Sequence, residues 1–382
     1  MNELLDRIFK LQAHGTTVST EVIAGMTTFI TMVYIIFVNP QMMAASGMDQ
    51  GASFVGTCLA AALACYVMGL YANWPVGMAP GMGLNAFFTY TVVGEMGYSW
   101  QVALGAVFLA GILFVIMSVT RMRRWMLDSI PFNMRIAMGV GVGLFVGFIG
   151  LKTGGIIVAS DATYLSLGDL TKPETFLAAV SFLSIAILSM RKIPGAIIIG
   201  ILGTTIIALA LGLVQFNGLV SAPPSLAPTF MQLDILGALD VAMASVIIAF
   251  LFVNLFDTAG TLLGVASRAG LIDEKGDAEN MDRALKADSS SSVMGAFFGC
   301  APVTSYVESS AGVEAGGRTG LTAVVVGSLF LLAIFFSPLA AMVPAYATAG
   351  ALIYVAILML GGMEALEWSD STEVLPALVT II

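Results

Sequence analysis

Two acids stand where a membrane-crossing segment should have none. Asp257 lies near the middle of the apolar run IIAFLFVNLFDTAGTLLGVA, and Glu308 lies within CAPVTSYVESSAGVEAGG. A carboxylate at mid-membrane costs on the order of several kcal/mol unless it is protonated, paired or solvated. Neither run carries a lysine or arginine to pair with it. The two acids therefore suit a site that takes up a proton on one side and releases it on the other. Asn85, within GMGLNAFF, offers both a donor and an acceptor beside the aromatic faces of Phe87 and Phe88, and Tyr306 stands two residues before Glu308. A flat ligand rich in ring N–H and carbonyl or amine groups would satisfy that set. For Phe87 or Phe88 taken singly, core or lipid packing is the stronger reading.

The elements that must position these residues follow from composition. Of 382 residues, 58% are hydrophobic and 10% charged, with mean hydropathy +0.97. An average soluble domain carries about 25% charged residues. This excludes a cytosolic enzyme, a nucleic-acid binder and a disordered chain, and it leaves a polytopic protein of the lipid bilayer. Apolar runs fall at 20–38, 51–72, 76–93, 99–120, 134–151, 174–190, 194–214, 239–266, 289–301, 303–313, 319–337 and 344–363, and a thirteenth starts near 373. That last run stops ten residues in, so the chain is expected to lack about one and a half spans. With a cytoplasmic N-terminus, 13 of the 15 basic residues fall on the cytoplasmic side, including Arg121, Arg123, Arg124 and Lys275. Lys152 and Lys172 fall opposite. Trp74, Trp100, Trp125 and Trp368 sit at segment ends, as interfacial tryptophans do.

Two segments are interrupted. Residues 76–93 and 300–317 are rich in Pro, Gly and polar residues, and both carry Ala-Pro, at Ala79-Pro80 and Ala301-Pro302, 222 residues apart. Val38-Asn39 recurs as Val253-Asn254, 215 residues on. Interrupted spans at matching places in two halves point to a transporter binding site. Seven spans precede residue 215, and an odd number inverts the second set.

Other signals carry less. GVEAGGRT at 312–319 resembles a phosphate loop but lacks its lysine and a strand–helix setting. Gly139, Gly143 and Gly147 read as helix packing. Cys58, Cys65 and Cys300 read as small packing residues. Six acids crowd the loop 267–288, which reads as a solvated connection. No catalytic motif, metal-ligand set or cofactor signature is visible, so no enzyme activity, metal or cofactor is expected.

The stretches LQAHGTTVSTEVIAGMTTFITMVYIIFVNPQ, PVGMAPGMGLNAFF, VNLFDTAGTLLGVA, ADSSSSVMGAFFGCAPVTSYVESSAGVEAGGRTGLTAVVVG and SPLAAMVPAYATAGALIYV resemble the adenine/guanine/hypoxanthine permease branch of the nucleobase–ascorbate (xanthine/uracil permease) superfamily. The resemblance runs over almost the whole chain. It implies an all-α membrane protein with a 7+7 inverted-repeat fold and short strands in broken spans 3 and 10. It also implies proton-coupled uptake of a purine nucleobase across the cytoplasmic (inner) membrane by an elevator-like movement. On that pattern 1–125 and 237–338 form a core domain, and 126–236 and 339–382 a gate domain. Asn85, Phe87, Asp257, Thr261, Ser305, Tyr306 and Glu308 bind substrate, with Asp257 and Glu308 coupling the proton. Backbone groups of Ser305 and Tyr306 are expected to complete the hydrogen bonds. Cys300 departs from a position where relatives often carry threonine. The fold is compatible with a homodimer. The preferred purine stays open, and uracil, xanthine or, less favoured for want of a central base, an anion are the alternatives.

Overall fold

Short polar residues before apolar runs set several helix starts. Thr17, Asp49 and Ser99 each accept a hydrogen bond from a backbone N–H in the first turn that follows, which satisfies a donor the helix cannot pair. The computed structural model describes residues 2–120, 131–161, 163–272, 278–366 and 368–381. Trp125, Arg121, Arg123, Arg124, Lys275 and the expected boundary at 125/126 lie outside the described residues.

In chain order the helices begin with α1 (Asn2–Phe9), α2 (Val18–Met32), α3 (Ile35–Ala45) and α4 (Gln50–Val67). Strand β1 (Met78–Pro80) leads into α5 (Met82–Ala86), which runs on as a π-helix over Phe87–Glu95. Then come α6 (Trp100–Val119), α7 (Phe132–Thr153), the hairpin β2 (Ile157–Ser160) and β3 (Tyr164–Leu167), α8 (Pro173–Met190) and α9 (Ala196–Ala210). The second half holds α10 (Met243–Ala269), α11 (Met281–Phe297), β4 (Val303–Ser305), α12 (Ser309–Glu314), α13 (Gly320–Ala333), α14 (Ser337–Met342), α15 (Ala345–Leu360) and α16 (Ser371–Ile381). Among the described residues, eight helical stretches are long and apolar enough to cross a membrane.

The chain divides into two compact units, residues 2–120 with 220–337 and residues 131–219 with 338–381. Residues 220–236, expected with the gate domain, lie with the first unit. There Ser221 N–H donates to Phe335 O, Met231 N–H to Phe297 O and Asp234 N–H to Gln101 O. In the second unit α15 packs between α7 and α8. Gly143, Gly147 and Gly150 make that approach possible, because a Cβ on each would come within 3 Å of Met359, Ala356 or Leu352. Gly139, expected in the same stripe, faces open space instead.

In the first unit the two interrupted segments meet. β1 and β4 pair antiparallel, Met78 with Ser305, Ala79 with Thr304 and Pro80 with Val303. Such a pair has a local two-fold, and its surroundings share it. The Cys65 thiol reaches Met78 O, and the Ser292 hydroxyl donates to Val303 O. Asn39 Nδ2 donates to Thr57 Oγ1 on the next helix, and Asn254 Nδ2 donates to Ser292 Oγ on its next helix. The Val-Asn recurrence thus marks matching contacts.

Two expectations are corrected. Helix α11 begins at Met281 rather than near 289, so Asp288 belongs to a helix and not to a solvated loop. Its run of four serines depresses hydropathy, and the hydroxyls of Ser289, Ser290 and Ser291 bond back to carbonyls of their own helix. Glu21, near the start of the first apolar run, is fully buried. Its carboxylate accepts from the N–H groups of Arg318, Thr319 and Thr322 and from the Thr322 hydroxyl, at the start of α13, where a negative charge meets unpaired donors. Trp74 is buried and donates Nε1–H to Glu279 O, so it is a packing residue rather than an interfacial one.

Candidate functional site

Three-residue strands leave most of their edge groups to be satisfied by something else. Gly81 N–H donates to Pro302 O and Tyr306 N–H to Gly77 O, which extends the pairing by one bond at each end. Gly77 N–H donates to Ser309 Oγ, and Met78 N–H reaches Cys65 Sγ. The Tyr306 phenol donates to Pro80 O at 2.6 Å. Asp288 takes the largest share from below. Its Oδ2 accepts Ser305 N–H at 2.9 Å and the Ser305 hydroxyl at 2.6 Å, and its Oδ1 accepts the Thr258 hydroxyl at 2.8 Å.

Thr258 is also 3.1 Å from Thr304 Oγ1, and Thr304 in turn bonds Asp257. One hydroxyl chain thus joins the exposed Asp257 on α10 to the fully buried Asp288 on α11. Glu308, half-buried just before α12, lies close enough to Asp257 for the two to interact electrostatically. Its Oε1 accepts the Tyr34 phenol at 2.6 Å, and its backbone carbonyl is 3.4 Å from Thr31 Oγ1. Charge-assisted O–H···O bonds of this length are the stronger kind.

The other expected residues fall as follows. Thr261 lies one turn beyond Asp257 on α10 and is 9% exposed. Phe87 is half-buried and packs edge-to-face on Phe250, centroids 5.1 Å apart. Asn85 is 0% exposed, and neither its amide nitrogen nor its oxygen has a hydrogen-bond partner. It is sealed inside the unit. Of the backbone groups of Ser305 and Tyr306, the two N–H groups are taken, by Asp288 and by Gly77.

Four participants were not expected: Asp288, Thr258, Thr304 and Tyr34. Asp288 hid in a stretch rich in charges and serines, although it stands 17 residues before Ser305. Tyr34 carried no signal beyond being a polar group in an apolar run. Among the described residues no group of three or more His, Cys, Asp or Glu could hold a metal.

Residues 19–382 match the model of a permease family that takes in xanthine and uracil permeases. The chain belongs to this permease family. It is 52% identical over 379 residues to the adenine permease AdeP of Escherichia coli, covering 99% of this chain and 85% of that protein. It is 44% identical to the guanine/hypoxanthine permease PbuG of Bacillus subtilis, covering 98% and 88%. Among solved structures, the transmembrane domain of the cyanobacterial bicarbonate transporter BicA superposes with a TM-score of 0.70 at 16% identity, covering 95% of each chain. SLC26A9 gives 0.66 at 12% identity, covering 96% of this chain and 62% of that one. The permease therefore has the 7+7 inverted-repeat transporter fold and is a multi-pass membrane transporter, not an enzyme.

Proposed function

We propose that this permease takes up purine nucleobases together with a proton across the cytoplasmic membrane, its N-terminus on the cytoplasmic side. The observation that carries the reading is the half-buried Glu308 beside the exposed Asp257, with no lysine or arginine inside either segment. A carboxylate accepts N–H groups, and purines present ring and exocyclic N–H groups along one edge. Two acids without a base favour such a ligand over an anion. The names of relatives such as the adenine permease AdeP and the guanine/hypoxanthine permease PbuG support the same class.

Glu308 accepts the N–H edge of the base, and Asp257 carries the transported proton, with Thr261 shaping the same face of α10. The hydroxyls of Thr304 and Thr258 order Asp257 through Asp288. The first unit is the carrier, and it moves in an elevator-like manner.

The test is uptake of radiolabelled adenine and hypoxanthine into cells lacking their own purine carriers. Glu308→Gln and Asp257→Asn should each reduce uptake by about a hundredfold or more, the scale of losing a charged hydrogen bond of ~1.5–3 kcal/mol together with the proton site. Uptake at the native rate in both variants would refute the assignment.

A further inference from the structure

The first span is not one helix. α2 ends at Met32 and α3 begins at Ile35, and the joint is made by tightened turns, Ile36 N–H to Val33 O and Phe37 N–H to Tyr34 O. Tyr34 stands at that joint. Its ring is 1% exposed, and its phenol bonds Glu308 Oε1 at 2.6 Å, across 274 residues of sequence. Thr31, one turn earlier, approaches the backbone carbonyl of Glu308. The joint of the first span therefore grips Glu308 by both side chain and backbone.

A free glutamate side chain loses about 1.5–2 kcal/mol of rotamer entropy when it is fixed. A ligand that must order it as it binds bears that loss. A buried phenol that has already fixed one carboxylate oxygen removes it. The phenol is not in the ligand's way, because it is buried while Glu308 stays half-exposed.

We infer that Tyr34 is a positioning residue for substrate recognition: it anchors Glu308 from the joint of the first span and so aims the carboxylate at the bound base. This rests on the reading that Glu308 is the substrate's acceptor.

The experiment measures equilibrium binding of radiolabelled adenine, with hypoxanthine as a second probe, to the purified full chain in lipid nanodiscs. Thermal unfolding of each ligand-free variant is recorded alongside. Tyr34→Phe keeps the ring and removes only the hydroxyl, and affinity should fall about tenfold. Glu308→Asp withdraws the carboxylate from the phenol and should lose at least as much. Tyr34→Phe added to Glu308→Asp should then cost nothing more, which a packing role for Tyr34 would not produce. Unchanged affinity in Tyr34→Phe, or an additive loss in the double variant, overturns the inference. Should Tyr34→Phe unfold, Glu308→Asp alone still decides it: affinity at the native level overturns it. Glu308→Gln is the separate control. If it binds adenine as the native chain does, the reading beneath fails as well, whereas a silent Tyr34→Phe with a defective Glu308→Gln removes only the role of Tyr34.

Discussion

Asp288 accepts three hydrogen bonds inside the first unit, from Ser305 N–H, Ser305 Oγ and Thr258 Oγ1. These bonds tie the Ser305 end of strand β4 to α10 and α11. Replacing it with asparagine removes the charge from these bonds and aims an N–H₂ group at the Thr258 hydroxyl, which must reverse to accept it. Asp288→Asn should therefore destabilise the protein by about 1–3 kcal/mol, read as a lower thermal midpoint in detergent, with uptake reduced in parallel. A midpoint equal to the native one would show that the network does not hold the strand. Of the residues in this cluster, Asp257 and Glu308 were legible in sequence because a charge in an apolar run has no cheap structural use. Asp288 and Glu21 were not, because a charge beside other polar residues reads as solvent-facing. Their burial depends on donors far along the chain, Ser305 for one and residues 318–322 for the other.

At the scale of elements, close backbone contact decides where the helices sit. A Cβ on Gly320 would lie 1.9 Å from Gly69 O, and one on Gly69 would lie 2.4 Å from Gly320 O. The start of α13 and the π-helical turn Met68–Ala72 that follows α4 touch through bare backbone there. Neither side can yield as a flexible side chain would, so Gly320→Ala should cost upwards of ~1–3 kcal/mol. Gly139 on α7 is exposed with nothing within 4 Å, so Gly139→Ala should be neutral or stabilising by up to ~1 kcal/mol. Comparative thermal unfolding of the two variants checks the pair, and equal effects would contradict the packing described. The helices themselves were legible as apolar runs of the right length. The joint at Val33–Tyr34 was not, because a break without proline or glycine leaves hydropathy unchanged. The start of α11 was also hidden, since its serines satisfy their hydroxyls within the helix and need no water.

Across the whole molecule, two short recurrences, Ala-Pro and Val-Asn, hinted at the repeat, and the structure supports them unequally. The Ala-Pro pairs fall in the two paired segments but not at equivalent places: Ala79 and Pro80 lie in β1, whereas Pro302 precedes β4 and has Gly77 as its counterpart. The two asparagines make equivalent bonds to the helices that follow them. Both interrupted segments, and every residue proposed to meet substrate or proton, belong to the first unit. A carrier built this way should move its cargo with the unit that holds it, and should need both acids at once. The most direct test is accumulation of radiolabelled adenine in proteoliposomes of the purified chain, driven by an imposed inward proton gradient and challenged with hypoxanthine, guanine, uracil and sulfate. Uptake should be saturable, should collapse when a protonophore dissipates the gradient, and should be competed by purines but not by sulfate. Accumulation that ignores the protonophore, or that sulfate blocks while purines do not, would contradict the account.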